Sequence, residues 1–189
     1  MSLASVVEWT RQTFMPLGPL GLFVLAFIES SFFPVPPDVL LIPLVLASPH
    51  QALLLAAIAT AGSVTGAMFG YELGRRGGRP VLERMVSQRN IDRVEGYYDR
   101  YGALAVGFAG FSPVPYKVFA VSSGTFEMDL PTFVTVSTLS RGARFFAEAI
   151  LFMLYGEEIM SFFETYFGPL TLVAAGLAVA GYVVWKQWL

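Results

Sequence analysis

Apolar residues along the chain form long runs separated by short polar or proline-containing segments. The run at 39–71 has 33 positions and no full charge. As one helix it would measure roughly 50 Å, whereas the hydrocarbon core of a bilayer is about 30 Å thick. The pattern therefore predicts two elements divided at the polar turn 48–51: a short half-helix at 39–47 and a full span at about 52–73.

Three prolines lie immediately before the short half-helix. Pro34, Pro36 and Pro37 separate it from another apolar stretch at 20–33. Proline lacks the amide hydrogen and clashes with the preceding turn, so no helix continues through this segment. The pattern predicts a re-entrant helical hairpin, which returns to the membrane face it entered from, with the three prolines as its hinges.

The same order of elements recurs downstream. Apolar segments at 103–111 and 118–126 flank a break at 112–117, and 131–155 is long enough to span a membrane. This part of the chain predicts a second hairpin followed by a second span. The hinges of the second hairpin are Pro113 and Pro115.

The two proline breaks are similar enough to indicate an internal repeat. Residues 32–38 (FFPVPPD) align with 111–117 (FSPVPYK) after a shift of 79 positions, and PVP is identical. One hairpin plus one span crosses the membrane an odd number of times, so consecutive repeats must point in opposite directions. We therefore predict an all-α polytopic membrane protein: an inverted repeat of re-entrant helical hairpin plus transmembrane helix, with one extra C-terminal span.

The predicted organisation is a single membrane domain over 1–189. The loop at 75–100 has seven arginines against four acidic residues, so the positive-inside rule assigns it to the cytoplasm. Apolar residues at helical spacing in this loop predict amphipathic helices at the inner leaflet, and the alternative is a solvated connector. In chain order the parts are repeat one at about 12–74, the cytoplasmic loop 75–100, repeat two at about 101–156, and a C-terminal span at 166–185 that returns to the cytoplasm.

Composition supports a membrane protein and excludes several site classes. Hydrophobic residues make up 55% of the chain and charged residues 14%, with a mean hydropathy of +0.61. The absence of cysteine and the presence of one histidine exclude disulfides, thiolate metal sites and histidine-cluster metal sites, so neither metal nor cofactor is expected. A net charge of −2 gives no reason to expect nucleic acid as a partner.

Six ionisable residues lie within or at the edges of the apolar segments. Each would cost about 2.5 to 3.5 kcal/mol if it remained unpaired at the centre of the membrane. Three are acidic and three are basic, so we expect a mutually paired cluster around a polar chamber. The six residues are Glu29, Asp38, Lys117, Arg141, Arg144 and Glu148.

Spacing along the chain suggests how these residues are arranged. Arg141, Arg144 and Glu148 are spaced i, i+3, i+7 and therefore share one helix face. Asp38 and Lys117 follow the two proline breaks at equivalent places. Inverted packing would bring their opposite charges together, and we expect them to pair.

The acidic members are candidates for proton coupling. A carboxylate in a desolvated site can exchange a proton when its cationic partner moves away, and this holds for Glu29, Asp38 and Glu148. The alternative is a buried salt-bridge network that only fixes the register of the helices.

The basic members are candidates for phosphate binding. Guanidinium groups match the geometry of phosphate oxygens, and ammonium groups act as point charges. We therefore expect the anionic ligand to be bound by Lys117, Arg141 and Arg144. The pattern predicts no catalytic residue.

Three segments resemble one known family. These are ESSFFPVPPD at 29–38, GYELGRRGG at 70–78 and FAGFSPVPYKVFAVSSG at 108–124. The chain resembles the DedA family of bacterial inner-membrane proteins, related to the SNARE-associated Golgi or VTT-domain proteins, and is most similar to the shorter YqaA-like branch. The resemblance covers about 20–155.

The resemblance implies two facing re-entrant hairpins and a role in moving membrane lipids. The lipid it implies is notably undecaprenyl phosphate, carried across the inner membrane and driven by the proton gradient. The family's essential acids correspond to Glu29 and Asp38. Its arginine pair does not carry over, because Gly110 and Phe111 stand at one position and Lys117 at the other. We expect the adjacent helix to supply the missing cations through Arg141 and Arg144.

These observations predict a membrane lipid transporter of the bacterial inner membrane, with lipid phosphate and protons as partners and the oligomeric state left open. The alternatives are a small-ion or solute secondary transporter and a non-transporting membrane scaffold. One histidine and no tandem Arg/His motif argue strongly against a lipid phosphatase that forms a phosphohistidine.

Overall fold

The structure, a computed structural model, describes residues 3–31, 33–78, 80, 88–111 and 116–187. All secondary structure in this part of the chain is helical. The helices are α1 (Leu3–Phe14), α2 (Gly18–Ser31), α3 (Asp38–Ala47), α4 (Ala52–Gly77), α5 (Gln88–Tyr101), α6 (Ala103–Phe111), α7 (Tyr116–Thr125) and α8 (Leu130–Gln187), with 3₁₀ turns at Met15–Leu17 and Pro49–Gln51.

The chain divides into two compact units. The first, Met1–Met153, contains α1 to α7 and the first part of α8. The second is Leu154–Leu189, and apart from Tyr155 its backbone is helical as far as Gln187. Tyr155, near the start of this unit, has a non-helical backbone (φ −128°, ψ 15°). The predicted C-terminal span lies in the second unit.

The first proline segment separates two helices, as the sequence predicts. Helix α2 ends at Ser31, α3 begins at Asp38, and Pro34, Pro36 and Pro37 lie in the non-helical connection between them. Pro43, in contrast, is tolerated inside α3.

The predicted second break extends too far at its C-terminal end. The prediction ran from 112 to 117, but Tyr116 and Lys117 already form the first turn of α7. Proline needs no amide hydrogen bond in the first turn of a helix, so a helix can begin soon after it. Pro113 and Pro115 lie outside the described residues.

Two helical stretches of the described chain are long and apolar enough to cross a bilayer. They are Ser5–Ser31 and Pro49–Gly77, and the latter contains the predicted span at 52–73. Asp38–Ala47 is also apolar but is shorter. Large apolar side chains such as Leu104 and Phe108 are exposed on the surface, as expected for groups that face lipid.

Helix α4 is the centre of the first unit, packing against α2 and α7. Its glycines allow the close approach: a Cβ on Gly66 would collide with the carbonyl oxygen of Phe27 in α2, and one on Gly74 with that of Val121 in α7. Ser31 donates a hydrogen bond to the Gly66 carbonyl at 3.1 Å. Helices α2 and α7 are thus held against the middle and the C-terminal part of one central helix.

Two apolar clusters form the core of the first unit. The first includes Leu25 of α2, Leu41 of α3 and Phe145 of α8, and the second includes Tyr116 of α7 and Phe133 of α8. Residues of α4 and α8 contribute to both clusters. These two helices therefore connect the parts of the core, and the charged residues of α8 lie along the same element.

Candidate functional site

Five of the six ionisable residues singled out by the sequence form two neighbouring ion-pair groups. Glu29 comes from the last turn of α2, Asp38 from the first residue of α3, and the other three from α8. Lys117 lies in the first turn of α7 and is half-buried. The three residues from α8 are Arg141, Arg144 and Glu148, and these form the two groups with Glu29 and Asp38.

The first group is a closed ring of hydrogen bonds across three helices. Arg141 Nη2 donates to Glu29 Oε2 at 2.9 Å, and Arg141 Nε donates to Ser63 Oγ at 2.6 Å. The hydroxyls of Ser63 and Ser30 are 2.7 Å apart, and Ser30 donates to Glu29 Oε2 at 3.1 Å. If Ser63 donates to Ser30, every hydroxyl has one acceptor and the ring is complete.

Aromatic rings enclose the guanidinium group of Arg141. Its Cζ lies 5.2 Å from the centroid of the Tyr116 ring and 4.8 Å from that of Phe145. Tyr116 is itself held by a 2.5 Å hydrogen bond between its hydroxyl and that of Ser137. The Arg141 side chain is 2% exposed, so its charge is stabilised by Glu29 and the two rings instead of by water.

The second group is more open and less completely bonded. Arg144 Nη2 donates to Asp38 Oδ2 at 2.7 Å, and the two side chains are 26% and 18% exposed. Asp38 is the first residue of α3, where the helix dipole also favours a negative charge. The expected pairing of Asp38 with Lys117 is wrong: in the described part of the chain, the cation that Asp38 contacts is Arg144.

A second carboxyl group completes this site. Glu148, one turn after Arg144, lies within hydrogen-bonding range of the Asp38 carboxyl. The Oδ1 atom of Asp38 is buried and accepts no hydrogen bond from a permanent donor among the described residues. Two carboxyl groups can hydrogen-bond only when one of them carries a proton. A proton shared between Asp38 and Glu148 would supply the missing donor.

The uncharged side chains that contact Glu29 and Arg141 were not predicted from the sequence. Ser30 and Ser63 complete the ring around Glu29, and Tyr116 and Phe145 cover Arg141. Phe145 follows Arg141 by four positions, and this i, i+4 spacing is the one signal in the sequence that could have indicated a contact.

Three relatives illustrate what the chain is similar to. An uncharacterised protein of Haemophilus influenzae is 33% identical over 185 residues, which cover 96% of this chain and 94% of that protein. Undecaprenyl phosphate transporter A of Bacillus subtilis is 27% identical over 138 residues, 67% of this chain and 68% of the relative. An alkaline phosphatase-like protein of Lactococcus lactis subsp. cremoris is 30% identical over 141 residues, with coverages of 68% and 66%. No solved structure matches the chain.

A family comparison covers most of the first unit. The VTT domain matches residues 35–154, a range that includes Asp38, Arg141, Arg144 and Glu148, while Glu29 lies six positions before it. The resemblance found in the sequence is therefore confirmed. The chain belongs to the VTT-domain family of membrane proteins, which is the DedA family.

Proposed function

We propose that this protein is a lipid transporter of the bacterial inner membrane that moves undecaprenyl phosphate, or a related phospholipid, across the bilayer with proton coupling. The family is associated with transport and not with catalysis, and one relative is named undecaprenyl phosphate transporter A. The proposal takes the substrate class from that relative and the mechanism from the charge cluster.

The observation that carries the proposal is the concentration of charge between apolar helices. Two ion pairs, Glu29–Arg141 and Asp38–Arg144, and the further carboxyl group of Glu148 lie together where the surrounding helices are apolar. Ionisable groups at membrane depth are expensive and mark substrate or proton pathways by default. An arginine that can change partners and a proton-carrying carboxyl pair are the components that proton-coupled transport of an anion requires.

The membrane arrangement in this proposal is a pair of re-entrant hairpins. Helices α2 and α3 have 14 and 10 residues, and α6 and α7 have 9 and 10. At 1.5 Å per residue none exceeds roughly 21 Å, less than the hydrocarbon thickness of about 30 Å. The longer stretch Ser5–Ser31 contains α2, but its backbone leaves helical geometry at Gly18, where φ is +56°. We propose that each pair enters and leaves on one side, with inverted orientation, and that the loop 75–100 and the C-terminus are cytoplasmic.

Roles follow from charge. Arg141, Arg144 and Lys117 would provide the positive potential that attracts the phosphate to the middle of the membrane. Asp38 and Glu148 would carry the proton, and Glu29, the third candidate, would keep Arg141 in place. These assignments are supported by the ion pairs of α8 and by the proximity of the two carboxyl groups at Asp38.

Transport can be tested in vesicles of phosphatidylethanolamine and phosphatidylglycerol that contain fluorescent undecaprenyl phosphate. Dithionite quenches only the outer leaflet, so the decay of the remaining signal measures translocation. We expect the full-length protein to accelerate it, Asp38→Asn to abolish most of the acceleration, and the exposed Glu158→Gln to retain it. Translocation no faster than in protein-free vesicles would contradict the proposal. Proton flux without lipid movement would indicate a small-ion transporter.

A membrane scaffold is the second candidate, favoured by the completeness of the Glu29–Arg141 ring. Exchanging Asp38 and Arg144 by a double charge reversal separates the two candidates. A scaffold should keep its function in cells in the double variant, because the basic residue at position 38 and the acidic residue at position 144 can still form an ion pair. A transporter should not, because the proton-carrying carboxyl and the phosphate-binding cation would then have exchanged places.

A further inference from the structure

The two arginines of α8 occupy different environments although they are three positions apart. Arg141 is 2% exposed, bonds to Glu29 and Ser63, and lies between two aromatic rings. Arg144 is 26% exposed, and within the described part of the chain its side chain donates one hydrogen bond, to Asp38. A guanidinium group has five N–H donors, so Arg144 retains donors for another anion.

The partner of Arg144 is also the less firmly held carboxylate. Glu29 receives hydrogen bonds from both Arg141 and Ser30, whereas Asp38 uses one oxygen for Arg144 and has a buried oxygen without a permanent donor. Glu148 lies beside Asp38, so two like-charged groups compete for the same cation unless they share a proton. The Asp38–Arg144 pair is therefore the one that can open with fewer lost contacts.

We propose that Arg144 exchanges partners during transport: the Asp38 carboxylate occupies, in this structure, the position that a phosphate anion takes, and the two compete for Arg144. Arg141 stays bound to Glu29 throughout. This inference rests on the proposed function and specifies which cation binds the substrate. The ligand chemistry is a phosphate monoester or inorganic phosphate, both of which fit a planar guanidinium group.

Charge balance explains why a carboxyl pair is needed at this place. When Arg144 turns to the phosphate, the Asp38–Glu148 pair with its one shared proton is left with a net charge of −1, and uptake of a second proton neutralises it. The charged groups that face Asp38 are Arg144, Glu148 and, more distantly, Arg141. Since Arg141 is already paired with Glu29, it cannot replace Arg144 without breaking the ring.

The test is a binding measurement on the purified full-length protein in detergent, with farnesyl phosphate and inorganic phosphate as separate probes. Removal of the internal competitor should strengthen binding, so Asp38→Asn should bind farnesyl phosphate about tenfold more tightly than the wild type. Glu29→Gln removes the equivalent carboxylate from Arg141 and should produce no such gain. Arg144→Gln should lose most of the binding.

Two further variants test whether Glu148 also competes for Arg144 and provide a control in case Glu29→Gln does not fold. Asp38→Asn combined with Glu148→Gln removes both carboxylates that could hold Arg144 and should bind at least as tightly as the single variant. If Glu29→Gln does not fold, as judged by thermal unfolding, Ser63→Ala disturbs the same ring more mildly and should likewise give no gain.

Three outcomes separate this inference from the proposed function. Wild-type binding of farnesyl phosphate that neither Asp38→Asn nor the double variant strengthens would overturn the exchange while leaving lipid transport standing. Equal gains for farnesyl phosphate and inorganic phosphate would support the exchange but identify free phosphate as the ligand, against a lipid substrate. Binding of neither probe by any form would contradict both.

Discussion

Arg141 Nη2 lies 2.9 Å from Glu29 Oε2, although 112 positions separate the two residues in the chain. The pair joins the end of α2 to the N-terminal part of α8, and Ser63 of α4 closes the connection through Arg141 Nε. Three helices are thereby tied together at a single buried cation. The position of the N-terminal part of α8 relative to α2 therefore depends on this contact.

Replacement of Glu29 by Gln should destabilise the protein strongly. The variant leaves the guanidinium group of Arg141 buried without its counter-charge, and breaking one side of a buried ion pair typically costs about 3 to 5 kcal/mol. Thermal or denaturant unfolding in detergent measures the effect. Asp38→Asn is the matched control, because its partner Arg144 is 26% exposed and can recruit water, so its loss should be clearly smaller. Equal losses in the two variants would contradict the distinction between the two ion pairs.

Substitution of Gly74 by Ala tests the close packing of α4 on α7. The added methyl group would collide with the backbone carbonyl of Val121, which cannot move without shifting its helix. We expect a loss of about 1 to 3 kcal/mol in the free energy of unfolding. Gly96 of α5 is the control, since a Cβ there meets nothing within 4 Å. Gly96→Ala should be neutral or stabilising by up to about 1 kcal/mol, and a similar loss at both sites would argue against tight α4–α7 packing.

The sequence was sufficient to predict the first helix break and the need for charges at membrane depth to be paired. The position of the first break follows from proline chemistry at Pro34, Pro36 and Pro37, which is local. The need for pairing follows from the cost of burying charge, which does not depend on the fold. Both predictions therefore hold without knowledge of the packing.

The identity of the partners could not be predicted in the same way. Asp38 pairs with Arg144 and not with Lys117 because the rotation of α8 against α3 decides which cation comes within reach, and the sequence does not specify that rotation. The contact between Ser63 and Arg141 could not be predicted from the sequence either. Hydroxyl groups in apolar helices often bond to the carbonyl four positions earlier, as Thr60 does with Ala56, so a serine in such a helix gives no signal of a contact between helices.

Asp129 should make the stability of the protein depend on pH in the acidic range. Its Oδ2 accepts a hydrogen bond from the backbone amide of Thr132 at 2.9 Å, which caps the start of α8. Hydrogen bonds from Thr132 lower the pKa of Asp129 below its ordinary value of 3.8. A carboxyl group with a lowered pKa in the folded state stabilises that state above its unfolded-state pKa, and the contribution disappears as the pH falls through the folded-state pKa.

The corresponding measurement is thermal unfolding of the wild type and Asp129→Ala across the acidic range. Asp129→Ala should be less stable near neutral pH, and the difference should shrink as the solution is acidified. Asp129→Asn keeps a capping acceptor that does not titrate, so it should stay close to the wild type near neutrality and change less with pH. A difference between wild type and Asp129→Ala that grows on acidification would refute the assignment.

Tyr116 should contribute to the site through its ring more than through its hydroxyl. The ring covers the Arg141 guanidinium group at 5.2 Å, and the hydroxyl bonds to Ser137 at 2.5 Å. Tyr116→Phe keeps the cation–π contact but leaves Ser137 without its partner, with an expected loss of about 1 kcal/mol. Tyr116→Leu also removes the ring and should lose about 1 to 2 kcal/mol more, because the contact lies in a desolvated place. Unfolding of the two variants alongside Ser137→Ala separates the contributions, and Phe and Leu variants of equal stability would show that the ring does not stabilise Arg141.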